Sequence, residues 1–342
     1  MLGRGDPIAS PAVTMPTLSL GSPPGPFALE IAKVGQDLGC ERIWLYDSAA
    51  LYEDIWIWLD RIGRETTIGL GTAVLVPNLR HVMTTASAAA TIEHSYPGRL
   101  VMGFGTGATA RWVLGKKALS WASTRTYIEN LRGLLAGEVV EIDGEACQMI
   151  HWPGFTAERP MRIPILLSAM GPKGQQITRE IADGIIDVGG QPFDMAWHVN
   201  MFTGTVLGDG EERTSDRVKE AIGPWAVLPY HGAHAAAPEF VEFLPNGTEW
   251  FESIKAARPE GQHHLAVHDG HATHVTDRDR ELVLDAAWDL PIAQGAWVAT
   301  PDEIRARAQA AGEAGITELL YTPCGPDPVG EARRMAEVFA ST

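Results

Sequence analysis

Three glycines on alternate positions close an apolar run in "MGFGTGATARWVLG", residues 102 to 115. Bare backbone at Gly103, Gly105 and Gly107 suits either a sharp turn or the close approach of a flat ligand. A dinucleotide loop would need G-x-G-x-x-G opening at once into a helix, whereas the spacing here is G-x-G-x-G and the clear helical pattern, Thr124 to Leu135, starts later. No G-x-x-x-x-G-K-[ST] motif occurs. A second stretch, "SAMGPKG", sets Gly171, Pro172, Lys173 and Gly174 where a helix begins, and free N–H groups with the helix dipole favour an anion such as phosphate there. Taken alone, the same residues also read as a simple turn with proline in the first helical position.

The titratable candidates lie at comparable places. Asp47 ends the run "RIWLYD", where packing alone is a poor reason for a carboxylate. Arg80 and His81 follow a later strand pattern, His81 reading first as a helix start and second as a substrate contact. The stretch "HHLAVHDGHATH" gathers His263, His264, His268, His271 and His274 with Asp269. On a helix His264 and His268 would share a face as paired metal ligands do, but Gly270 interrupts the helix and no glutamate base lies between them. The expectation is therefore no bound metal, with His271, beside that glycine, reaching substrate from a mobile lid.

Elements that could bring these groups together alternate along the chain. Strand patterns at Thr17 to Gly21, "RIWLYD", "TTIGLGTAVLVP", "GRLVMGFG", "IPILLSA", "IIDVGG", "IGPWAVLPY" and "ITELLYTP" are separated by helical ones, with a hairpin around Asp143-Gly144 and a helix from about Phe193. Eight strands with helical crossovers predict a single α/β domain over 1–342, a (β/α)8 TIM barrel, because parallel strands need right-handed crossovers that close the sheet. Residues 230–294 are too long for a plain loop and predict an insertion or lid after strand seven, on the face where barrels carry their chemistry.

The 342 residues carry 27 Lys and Arg against 43 Asp and Glu, a formal charge of -16, and no local basic patch stands out. That balance disfavours nucleic acid and anionic membranes as partners and leaves a small-molecule substrate. Three well-separated cysteines, Cys40, Cys147 and Cys324, outline no disulfide framework, and six prolines within residues 7–26 break any leader-like apolar stretch. A cytoplasmic protein is expected, so "RGD" at Arg4 to Asp6 and "NGT" at Asn246 to Thr248 read as chance matches.

The blocks "GLGTAVLVPNLRH", "TIEHSYPGRLVMGFGTG", "ATARWVLG" and "ILLSAMGPKGQQITREIADGII" together resemble the luciferase-like monooxygenase superfamily, in particular its branch that uses the deazaflavin coenzyme F420, such as methylenetetrahydromethanopterin reductases. The resemblance implies a bacterial-luciferase-like barrel, often a homodimer, with the deazaflavin at the C-terminal ends of the strands. It implies that Asp47 faces the cofactor or the reacting centre and that Ala73-Val74 matches the family's non-prolyl cis peptide behind the ring. Thr106 and Gly107 would line the ring, while Ala169, Met170, Gly171, Gly189 and Gly190, with Lys173 and Gly174 at the helix start, would hold the phosphate-bearing tail. The sugar-phosphate dehydrogenases of the branch carry a His after the aspartate and an acid after Thr-Gly; here Ser48 and Ala108 stand in those places. The expected reaction is thus hydride transfer between F420 and an activated double bond, imine or carbonyl, with Asp47, His81 or His271 handling the proton. An FMN-dependent monooxygenase of the same fold is the alternative, and a metal-dependent hydrolase the second.

Overall fold

Eight parallel strands close on themselves in the order β1 (Thr17–Ser22), β8 (Glu318–Tyr321), β7 (His198–Phe202), β6 (Gly184–Asp187), β5 (Ile165–Ser168), β4 (Leu100–Phe104), β3 (Gly69–Leu75) and β2 (Arg42–Leu45). This computed structural model describes residues 15–340, so the Arg4 to Asp6 match lies outside the described residues. Closure comes from β1 and β8, with Thr17 opposite Glu318 and Leu20 opposite Tyr321. The expected TIM barrel is present, with the helices outside and an interior layer of Trp44, Val101, Leu166, Ile186, Val199 and Leu320.

Capping side chains set the outer helices in place. Asp54 accepts the N–H groups of Trp56 and Ile57 to start Ile55–Glu65, whose Ile55, Leu59 and Ile62 turn inward at i, i+4 and i+7. His81 starts Val82–Ser95 by accepting the N–H of Met83 on Nδ1 at 3.2 Å. Thr300 and Glu303 form a reciprocal capping box at Pro301–Glu313. The hairpin expected at Asp143-Gly144 is present, both turn residues having positive φ (53° and 85°) between Val140–Ile142 and Glu145–Cys147.

Strand seven differs from the expectation. It is His198–Phe202, where a helix was expected from Phe193, and it pairs with β6 through His198 and Ile185 and with β8 through Phe202 and Tyr321. The apolar run at 222–230 belongs instead to two helices, Asp216–Ala226 and Leu228–Ala236. Ser215 caps the first, and Val218, Ile222 and Ala226 recur every four residues on its buried side. Helical spacing and a cap thus outweigh the strand-like composition, and Pro224 is accommodated inside the helix.

Between β7 and β8 the chain makes a long excursion, residues 203–317. Its helices bury a cluster of their own around Val218, Ile222, Tyr230, Trp250, Ile254 and Trp288. At the opposite end of the barrel, Glu318 is 3% exposed and accepts hydrogen bonds from Ser19, from Arg42 Nε at 3.0 Å, and from the indoles of Trp44 and Trp197 at 2.8 and 3.0 Å. A buried carboxylate so fully partnered closes the N-terminal end of the barrel.

Candidate active site

A cavity of about 490 Å³ opens at the C-terminal ends of the strands. Asp47, Ala73, Val74, Thr106, Gly107, Met170, Gly171 and His271, all expected site residues, line it. The Ala73-Val74 peptide is cis. It lies where the β3/β4 register shifts, between Thr72 and Leu75.

The glycine loop explains itself against that shift. A Cβ on Gly103 would sit 2.3 Å from the carbonyl oxygen of Thr72, and one on Gly105 would sit 2.8 Å from Val74 Cγ2. Gly107, at φ 80°, caps the short helix Ala108–Trp112 in the left-handed region. The loop therefore lets β4 pass tightly over β3 and leaves Ala73, Val74 and Gly105 as a smooth cavity wall.

One ion-paired group faces this wall. Arg80 Nη1 donates to both oxygens of Asp47 at 2.9 and 2.7 Å, and Nη2 donates to Asp54 at 2.9 Å. Burial pushes the Asp47 carboxyl above its ordinary value, against the opposing pull of Arg80. For the more exposed Asp54, burial acts in the same upward sense but the Arg80 hydrogen bond prevails and lowers it.

A histidine cluster forms the far side. His271 Nε2 lies 3.0 Å from Thr109 Oγ1, and its Nδ1 lies 2.8 Å from Nδ1 of His231. His268 packs edge-on to both rings, with Trp112 stacked on it. Burial lowers all three imidazoles, His268 to about 3 and the other two well below the ordinary value, so they are neutral at pH 7. Tyr52 donates to the carbonyl of His271 at 3.1 Å, tying the excursion to the loop after β2.

The remaining expected residues lie apart from this cavity. His81 is exposed and spends Nδ1 on its helix cap. Ala169 is buried with Ile185 and Phe193. Lys173 is exposed on the first turn of Pro172–Ile181, and Gly174 faces Trp121, whose Cζ2 a Cβ would meet at 2.4 Å. Gly189 and Gly190 line a second cavity of about 530 Å³ that shares Met201 and Trp225 with the first. Sequence reasoning missed Thr109 and His231: they lie 162 and 40 residues from His271, and only the fold brings them to it.

The chain matches the luciferase-like monooxygenase family over residues 8–318. It is 31% identical over 313 residues to a 5,10-methylenetetrahydromethanopterin reductase of Methanolobus tindarius, an alignment covering 86% of this chain and 90% of that one. An F420-dependent glucose-6-phosphate dehydrogenase of Nakamurella multipartita is 33% identical over 177 residues, 48% of this chain and 49% of the relative. The solved coenzyme F420-dependent tetrahydromethanopterin reductase from Methanopyrus kandleri superimposes with a TM-score of 0.64 at 20% identity, covering 95% and 98% of the two chains. Barrel, cavity and sequence match agree: the chain belongs to the luciferase-like monooxygenase family.

Proposed function

We propose that this chain is a coenzyme F420-dependent oxidoreductase acting on a small organic substrate with an activated double bond, imine or carbonyl. The observation that carries the reading is the apolar, side-chain-poor wall of Ala73, Val74 and Gly105 facing Thr109 and His271 across one cavity. A flat tricyclic ring fits such a wall, and when bound the deazaflavin supplies or accepts the hydride. Gly171 suits the anionic tail: it begins Pro172–Ile181 with free N–H groups, and a Cβ there meets nothing within 4 Å. Gly189 and Gly190 in the adjoining cavity, with Lys173 nearby in sequence, are the proposed continuation of that tail site.

The chain's own residues supply the rest. Met201 and Trp225 line the cavity and would help exclude water from it. With Ala108 in place of an acid, the protic groups lining the cavity include the Thr109 hydroxyl and neutral His271, which is hydrogen-bonded to it. A neutral imidazole that donates from Nε2 to Thr109 Oγ1 turns the hydroxyl hydrogen toward the cavity, where it can polarise a carbonyl or imine as a hydrogen-bond donor. Asp47 sets the charge at the edge of the site, clamped by Arg80. The excursion helices act as a lid in this reading, and a homodimer is the expected assembly.

Tryptophan-fluorescence titration with F420 and, separately, FMN tests the cofactor. Saturable quenching by F420, lost in Gly171→Glu with an unchanged melting curve, is the expected result. Preferential binding of FMN with oxygen uptake on reduction would move the chain to the monooxygenase reading. Brisk F420 reduction with glucose 6-phosphate would overturn the substrate assignment.

A further inference from the structure

We propose that His231, His268 and His271 form a binding site for a divalent first-row transition ion, Zn²⁺ being the type case, in the wall behind the cavity. The three side chains are 1%, 2% and 7% exposed and come from different parts of the excursion, the helix Leu228–Ala236 and the turns after His263–Val267. One nitrogen from each lies within 4.8 Å of the others. An ion bound tetrahedrally through bonds of about 2.0–2.1 Å holds its donors about 3.4 Å apart, so shifts under about 1 Å complete the set.

Hydrogen bonding within the cluster supplies the second, independent observation. The 2.8 Å contact between the Nδ1 atoms of His231 and His271 uses one nitrogen of each ring, and Thr109 takes the other nitrogen of His271. Nε2 of His231 and both nitrogens of His268 are buried without a protein partner. Whichever tautomer each neutral ring takes, this account leaves three polar nitrogens without a protein partner. Arg278, whose charge reaches His231, opposes a cation and is the cost the donors must outweigh.

An ion on Nδ1 of His271 forces the ring proton onto Nε2, which then donates to Thr109 Oγ1. The Thr109 hydroxyl hydrogen is thereby turned away from His271 and toward the cavity that Thr109 lines. His231 and His268 are positioning residues in this arrangement, since neither lines the cavity. Ion binding itself stands apart from which redox cofactor the chain uses.

The test is titration of chelator-treated full-length protein with Zn²⁺, and with Co²⁺ to read the ligand set from its visible absorption. One ion per chain is expected, with affinity reduced at least 100-fold in His231→Ala and in His268→Phe, the latter keeping a ring against Trp112. His274→Ala, on an exposed side chain, should leave affinity unchanged, and melting curves of the metal-free variants report whether each is folded. Absence of saturable uptake by the wild-type chain, or equal affinity in folded His268→Phe, overturns the site. Failure of F420 to bind would leave this outcome unaffected, so the two readings fail separately.

Discussion

Arg80 and Asp47 are joined through a single guanidinium nitrogen that donates to both carboxylate oxygens, and the other terminal nitrogen of Arg80 holds Asp54, the cap of the next helix. The charge at the edge of the cavity is thus fastened to the first turn of Ile55–Glu65. Its side chains are 2% exposed for Asp47 and 15% for Arg80, which places the pair among buried ion pairs.

Removing one partner of such a pair leaves the other charge buried. Arg80→Ala is expected to destabilise the chain by about 3–5 kcal/mol, because Asp47 loses its counter-charge. Asp47→Asn should cost less, on the order of 1–2 kcal/mol, since the amide oxygen still accepts from Arg80 and Asp54 still neutralises it. Urea melts of the two variants check the ordering, and a larger loss for Asp47→Asn would show that Arg80 depends chiefly on Asp47 and that Asp54 does not compensate it. Full turnover by Asp47→Asn would further assign Asp47 a structural role.

Two glycines two residues apart, Gly103 and Gly105, should respond differently to a methyl group. In Gly103→Ala the new Cβ meets backbone, the Thr72 carbonyl at 2.3 Å, whereas in Gly105→Ala it meets the Val74 side chain at 2.8 Å on the cavity wall. Gly103→Ala is expected to lower stability by about 1–3 kcal/mol or more through overpacking. Gly105→Ala should melt closer to wild type yet weaken F420 binding at least tenfold, by roughening the surface the ring would lie on. Thermal melts paired with fluorescence titration separate the two, and unchanged binding in Gly105→Ala would remove that wall from the cofactor site.

Acid stability should carry the mark of Glu211. Arg217 hydrogen-bonds its carboxylate and lowers it from 4.5 to about 2, with Gly208 N–H and Ser215 assisting. The folded value lies below the unfolded one, so the contribution is complete above about pH 4.5 and disappears as pH falls toward 2. Solvent screening limits it to on the order of 1 kcal/mol. Glu211→Gln should therefore lower stability at pH 7 and flatten the decline between pH 4.5 and 2, as followed by melting temperature. An unaltered slope would mean that Arg217 is satisfied by Glu331 alone, its partner on the closing helix.

The barrel was legible wherever strands were rich in Ile, Leu and Val and were followed by an amphipathic helix, as at Ile165–Ser168 and Pro172–Ile181. It was illegible at His198–Phe202, where His198 and Asn200 stand in a five-residue strand and are buried beside Asp187, which accepts from Asn200 at 2.7 Å. Polar residues in a short buried strand do not read as core in a sequence. Of the strand-end positions, Asp47, Ala73, Val74 and Thr106 come together at one cavity, while Ala169, Gly189 and Gly190 lie apart from it. His81 could not be separated from the cavity residues, since a helix cap and a catalytic base present the same residue in the same place. The meeting of His231 with His271 depends on how the excursion packs, and no local pattern encodes it.

The excursion's private core has an evolutionary consequence. Trp225, Leu228, His271 and Ala272 reach the cavity from helices and turns whose main apolar contacts are with one another, around Tyr230 and Trp250, rather than with the barrel interior. Changes in those four positions can recast what the cavity accepts while the eight strands, closed below by Glu318, keep their own energetics. Selection can therefore act on substrate choice and on barrel integrity as nearly separate traits, one chain segment at a time.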